Sequence, residues 1–165
     1  MKRKISESKV KLVEIVLPED TNQYGTIFGG YLVSLMDKAA FISASRYTRK
    51  TCVTAGMDRL DFTQSIKTGE IVEISAHLNF VSRSAMEIEV EVWGENILSG
   101  KKVKACSGYF TFVAVNGKGK PVPVPEPKLE TKEEIERFQE GKKRHEARAR
   151  TRRQADQKAS GNQVG

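Results

Sequence analysis

Histidine and cysteine are scarce: His77, His145, Cys52 and Cys106 are the only ones in 165 residues, and none stand at a close ligand spacing. A zinc site is therefore not expected. A Ser-His-Asp or Cys-His arrangement needs a histidine beside its nucleophile, and His77 falls in an alternating segment while His145 falls in a charged tail. Hydrolytic chemistry in this chain would have to rest on carboxylates. No run approaches the ~18 apolar residues of a membrane span, and the basic start Lys2-Arg3-Lys4 leads into mixed polar sequence rather than an apolar signal core. A cytoplasmic protein without a membrane span is the expectation. Aromatic residues are missing between Gly141 and Gly165, which removes base stacking and argues against sequence-specific nucleic-acid recognition by that basic segment.

The net charge of +7 is local. Residues 141–153 (GKKRHEARARTRR) hold seven Lys/Arg and one Glu, leaving 21 Lys/Arg against 20 Asp/Glu elsewhere. The body is nearly neutral, and the tail reads as a solvated helix or a weak electrostatic contact with a phosphate-bearing surface.

Hydropathy patterning gives the organisation. Lys9 to Leu17 reads as a first strand, broken by Pro18-Glu19-Asp20-Thr21-Asn22. After the glycine-rich turn Gly25-Thr26-Ile27-Phe28-Gly29-Gly30, Leu32, Leu35, Met36, Ala39, Ala40 and Ile42 recur at helical spacing, which predicts one helix from about Gly29 to Tyr47. Cys52 to Thr63 reads as a strand that changes parity between Met57 and Leu60, the mark of a bulge or of burial on both faces. Val72 to Phe80 and Met86 to Val92 alternate cleanly, with Ser82-Arg83-Ser84 as the hairpin between them. A last strand spans Val103 to Val115, and Pro121, Pro123, Pro125 and Pro127 follow as an extended connector that cannot continue a sheet interior. This order predicts an α+β fold, an antiparallel sheet wrapped around one long central helix. The boundaries drawn are a domain over 1–127 and a basic helix and tail over 128–165, opened by the capping box Thr131/Glu134, docked through Ile135 and Phe138, and disordered from Gln154.

Asp37 is the only acid between Asp20 and Asp58, and it sits mid-helix beside Leu35, Met36, Ala39 and Ala40. Desolvated there it would cost several kcal/mol without a partner. Pairing with Lys38 or Arg46, or a narrow solvent-facing stripe, would leave the same pattern. The helix that starts at Gly29-Gly30 offers unpaired backbone N–H groups able to receive a developing oxyanion. Asp37 lies roughly 10 Å of helix rise beyond them. Within one helix the two are too far apart to act on one carbon, so either a water bridges them or the site joins Asp37 of one chain to the turn of another. The turn lacks the Lys-Ser/Thr of a phosphate loop and the spacing of a dinucleotide fingerprint.

Together, Pro18-Glu19-Asp20-Thr21-Asn22, the glycine turn, Leu35-Met36-Asp37, Val53-Thr54-Ala55, Leu60-Asp61-Phe62 and Phe112-Val113-Ala114-Val115 resemble the acyl-CoA hydrolase family of hotdog-fold thioesterases. The resemblance covers about residues 8–126, with the motifs in order. It implies a hotdog fold, a homodimer with active sites at the dimer interface, and usually a homohexamer built as a trimer of dimers. It implies hydrolysis of fatty acyl-CoA to fatty acid and CoA, with no cofactor beyond the coenzyme A of substrate and product. Residue by residue, Asp37 matches the catalytic carboxylate, as general base or as nucleophile. Asn22 matches the polar residue ahead of the turn, Thr54 a hydroxyl near the carboxylate, and the Gly30 amide the carbonyl polariser. Without the resemblance, Asn22 reads as a turn former and Thr54 as a strand residue.

CoA phosphates call for cations at the mouth of the site. Arg59, Arg83 and Ser84 are the substrate-binding candidates, the last two because they match the hairpin that approaches CoA in the family. Ser82-Arg83-Ser84-Ala85 departs from the family's more usual Gly- and Ser/Thr-rich version, and Ser65 stands where proline is common. A competing reading is a non-catalytic acyl-CoA-binding sensor on the same fold. It would be expected to lose the carboxylate, and Asp37 is present.

Overall fold

The computed structural model of the chain describes residues 2–161. Its centre is helix α1 (Gly29–Thr48), which buries Leu32, Leu35, Met36, Ala39 and Ala40 of the predicted stripe and extends it through Ser43, Ala44 and Tyr47, while Ile42 is half-buried. Three alanines on that stripe let the sheet approach closely. Enlarging one, as in Ala40→Leu, would overpack the contact at a cost of about 1–3 kcal/mol. The helix ends where Arg49 turns left-handed at φ 54° and its N–H caps the Ser45 carbonyl at 2.8 Å.

Around α1 wraps a five-stranded antiparallel sheet. Its strands are β2 (Val10–Ile15), β3 (Thr51–Phe62), β4 (Ile71–Val81), β5 (Ala85–Glu95) and β6 (Lys102–Val115), in the order β2-β4-β5-β6-β3. One parity of β4, β5 and β6 supplies the core facing α1, including Ile74, Leu78, Ile88, Val90, Phe110 and Phe112. The other parity puts Glu87, Glu89 and Tyr109 on the convex face. The alternation read from sequence is therefore a true two-faced sheet. β3 carries the irregularity its parity change foretold, with register shifts against β6 between Thr54 and Gly56 and between Asp58 and Asp61.

Four features differ from or add to the expectation. Two short strands, β1 (Lys2–Lys4) and β7 (Glu126–Lys128), form a separate parallel pair. The prolines do form an extended connector, yet its free groups are used: Val122 N–H bonds Ala114 O, Val124 N–H bonds Arg83 O, and Pro125 O accepts from Tyr47. Next, α2 (Lys132–Gly161) runs past Gln154, because no residue there interrupts the helix before Gly161; the remainder of the expected disorder, 162–165, lies outside the described residues. Its capping box forms as read, with Glu134 N–H donating to Thr131 Oγ1 at 3.1 Å.

Finally, α2 docks differently. Phe138 packs on Phe80 with ring centroids 4.9 Å apart, but Ile135 is exposed. Arg144 and Arg148 take the helix onto the sheet instead, through Glu87. The basic tail is in part an internal counter-charge rather than a fully solvated face.

Candidate active site

Asp37 leaves α1 half-buried, and its Oδ1 accepts a hydrogen bond from Thr54 Oγ1 at 2.9 Å. Among the described residues it forms no ion pair, so the alternative partners Lys38 and Arg46 are not engaged; Arg46 bonds the Lys9 carbonyl. Thr54 reaches α1 because it stands on the concave parity of β3, opposite Phe112 of β6. A threonine there keeps a strand-compatible backbone while its hydroxyl orients one carboxylate oxygen and leaves the other free to accept a proton.

The glycine turn lies at the N-terminal end of the same helix, about two turns before Asp37. Leu32 N–H bonds Phe28 O at 3.0 Å, so the amides of Gly29, Gly30 and Tyr31 remain outside the helical ladder. Phe28 approaches Gly30 closely: a Cβ there would lie 2.7 Å from Cε1 of that exposed ring, which would have to swing aside. Beside the turn is a hollow of about 290 Å³ lined by Ile27, Gly29, Leu32, Phe62 and Ser65. β3 thus runs along α1 from Thr54, next to Asp37, to Phe62, next to the turn. One chain therefore holds the Asp37–Thr54 pair and the glycine turn at separate positions along α1.

Asn22 organises the turn. Its Oδ1 accepts from Tyr24 N–H at 3.0 Å and Thr26 N–H at 3.3 Å, and its Nδ2 donates to Thr26 Oγ1 at 3.1 Å. Thr26 was not singled out by sequence; its only signal is its position four residues beyond an Asn in a glycine loop. Tyr31 at the helix start donates to Glu14 Oε2 at 3.0 Å, and that bond, with burial, pushes its phenol up to about 12.

Of the substrate-binding candidates, Arg59 sits in the second β3 bulge at φ 54° and faces Asp61 at 3.7 Å. Arg83 and Ser84 form the β4–β5 hairpin, two strands across from Thr54 and so roughly 10 Å away. Arg59 follows Asp58, whose partner Tyr109 is four residues along β6 from Val113, the partner of Ala85. At ~3.3 Å per residue the two groups are separated by more than ~13 Å along the sheet. Within one chain the fold brings together Asp37 and Thr54, and it holds Asn22, Gly30, Arg59 and the Arg83–Ser84 hairpin apart from them.

The model of the Thioesterase superfamily matches residues 24–101. The uncharacterized acyl-CoA thioester hydrolase YkhA of Bacillus subtilis is 39% identical over 129 residues, covering 78% of this chain and 75% of that one. The chain belongs to the acyl-CoA hydrolase family of hotdog-fold thioesterases. An acyl-CoA hydrolase from Staphylococcus aureus, solved with butyryl coenzyme A and coenzyme A, superposes at a TM-score of 0.87 with 33% identity, covering 97% of this chain and 98% of that one. Further structures of the same S. aureus enzyme carry alanine in place of one Asn, one Asp and one Thr. The rat cytosolic acyl coenzyme A thioester hydrolase is 38% identical over 143 residues, or 86% of this chain. This acyl-CoA hydrolase family member spans 38% of the length of that rat relative.

Proposed function

We propose that this chain is an acyl-CoA thioesterase that hydrolyses fatty acyl-CoA to free fatty acid and CoA, with Asp37 at the reacting centre. The observation that carries the reading is the Thr54–Asp37 hydrogen bond at 2.9 Å, a carboxylate aimed by a hydroxyl at the edge of the helix. Support comes from the S. aureus enzyme: its altered Asn, Asp and Thr are separated in sequence as Asn22, Asp37 and Thr54 are here.

In the general-base route Asp37 takes a proton from water as the water oxygen attacks the thioester carbon. The carbonyl oxygen gains negative charge and is received by the Gly30 amide at a helix N-terminus. Collapse expels CoA as thiolate, which recovers the proton. In the nucleophilic route Asp37 itself attacks the thioester carbon, the C–S bond breaks to release CoA thiolate, and water then cleaves the acyl anhydride to fatty acid and the free Asp37 carboxylate. Asn22 orients the thioester, and Arg59, Arg83 and Ser84 hold CoA phosphates. Neither route calls for a metal or cofactor.

The separation of that pair from the turn is resolved by a dimer in which Asp37 of one protomer faces the turn of its partner. The free edge of β3 and the exposed Val53, Met57 and Phe62 along it support that arrangement. Dimers then assemble into hexamers, as the family resemblance implies. The same reading makes 1–127 the thioesterase domain and 128–165 its appended helix and tail, and places the protein in the cytoplasm.

Free-thiol release from acyl-CoAs of varied length, with the natural protein and Asp37→Ala compared at equal assembly, tests this. Turnover that collapses in the variant is expected. Tight acyl-CoA binding without turnover in the natural protein would leave a sensor, not an enzyme.

A further inference from the structure

The convex face of the sheet holds a group the reaction does not use. Glu87 of β5 is 1% exposed, and a carboxylate buried there would cost several kcal/mol if unpartnered. Arg144 donates to its Oε1 through Nε at 3.0 Å and Nη2 at 2.7 Å, and Arg148 donates to its Oε2 through Nη2 at 2.8 Å. Arg144 also lies over the Tyr109 ring, 3.9 Å from its centroid. The helix comes this close because Gly141 has no side chain: a Cβ there would fall 2.7 Å from Phe80 Cβ and 3.1 Å from Glu87 Oε1.

Arg148 makes a second bond. Its Nη1 donates to Asp58 Oδ2 at 3.2 Å. Asp58 stands on β3, with β6 between it and Glu87. One guanidinium therefore ties the middle of the sheet to its edge, and with Arg144, Glu87 and Asp58 it forms a cluster of two positive and two negative charges.

What it ties down is the least regular stretch of the sheet. The β3–β6 ladder slips on both sides of the segment that ends at Asp58, and Arg59 in the second slip is left-handed. Bulges and left-handed non-glycine residues persist where the surroundings over-determine them. Leu60 is received on one side by Gly108, where a Cβ would lie 2.4 Å from Leu60 Cδ2. Arg148 holds the other side. The strand so fixed is the one that carries Thr54 to Asp37 and presents Arg59.

We propose that Arg148 is a positioning residue for the acyl-CoA site, clamping Asp58 to Glu87 and so fixing the bulged stretch of β3 that places Thr54 and Arg59. The proposal rests on the thioesterase reading above. It assigns α2 a part in the site through its bond to β3.

The test uses the full chain with Arg148→Gln, Asp58→Asn, the double variant and Arg148→Lys. Asp58→Asn weakens the bond to β3 and leaves the Glu87 pairs intact, so it isolates the clamp even if Arg148→Gln fails to fold. Amide hydrogen exchange over residues 53–62 reads the clamp without reference to activity. It should quicken about tenfold in Arg148→Gln and Asp58→Asn while α1 amides keep their protection. Acyl-CoA hydrolysis reads the site, with KM expected to rise about 5–10-fold and kcat to fall about 3–10-fold. The double variant should be no worse than Arg148→Gln alone, and Arg148→Lys should recover part of the loss. A lower melting temperature with unchanged exchange in β3 and unchanged kcat and KM would make Arg148 a stability residue only and overturn the proposal. Additive effects of the two single substitutions would overturn it as well. A natural protein that releases no thiol would remove the thioesterase reading instead, and the clamp would then stand or fall on the exchange of β3 alone.

Discussion

The Thr54 hydroxyl meets the Asp37 carboxylate at 2.9 Å across the contact between an edge strand and the central helix. Removing that hydroxyl deletes one hydrogen bond to a charged group, worth about 1.5–3 kcal/mol. Thr54→Val should therefore lower kcat/KM about 10–100-fold, while Thr54→Ser keeps most of the rate. Steady-state hydrolysis of one acyl-CoA at several concentrations decides it, and a Thr54→Val enzyme as fast as the natural one would remove Thr54 from the site.

Glu87 is the residue whose loss should be felt most in stability. Glu87→Ala leaves Arg144 and Arg148 facing each other over the sheet without their shared counter-charge. Breaking a buried pair in this way costs about 3–5 kcal/mol. An unfolding free energy from urea titration lowered by that amount is the expected result, and a loss under about 1 kcal/mol would mean that α2 undocks with little cost.

Gly141 offers a test in which helix propensity and packing disagree. Alanine would favour the helix by about 1 kcal/mol. Its Cβ, however, would fall 2.7 Å from Phe80 Cβ, an atom fixed to the β4 backbone. Overpacking of this kind costs about 1–3 kcal/mol, so Gly141→Ala should lower the melting temperature. A raised melting temperature would show that α2 shifts outward freely.

Acid should weaken the protein through Glu89. Burial pushes its carboxyl up, but hydrogen bonds from His77 and Asn79 and the charge of Arg137 outweigh that and hold it at about 2, against an ordinary 4.5. A carboxylate depressed in the folded state contributes stability that is whole above the unfolded value and is lost as pH falls through the folded one. The loss should therefore fall between pH 4.5 and about 2. Unfolding midpoints measured across that window should drop more steeply for the natural protein than for Glu89→Gln; parallel curves would discount the group.

The exposed edge of β3 should govern assembly. Met57 is 44% exposed in a single chain, on a strand with no neighbour on its outer side among the described residues. Met57→Lys should shift the protein to a smaller species by light scattering and remove activity with it. An active monomer would place the complete site within one chain.

Much of the fold was legible from local pattern. Period-two alternation in Met86, Ile88, Val90 and Val92 and the helical stripe from Leu32 to Ala44 are set by which face each residue turns to the core, and that information is carried by neighbours in the chain. The bulge in β3 was legible too, as a change of parity. Asp37 stood out because a lone acid on an apolar helix is expensive. Pro127 was a poorer guide, since a proline excluded from a sheet interior still serves in the short parallel pair of β1 and β7.

The sequence by itself determined α1, the five strands of the main sheet, the face that most of them bury, and the family, since these are written in local periodicity and ordered motifs. Only the tertiary structure decided the pairings: that Thr54 reaches Asp37, that Asn22 bonds within its own turn, and that Arg144 and Arg148 neutralise Glu87 rather than face solvent. Charge along a chain is a sum over residues, whereas an ion pair depends on which side chains the folded backbone brings within about 3 Å, and no local pattern records that.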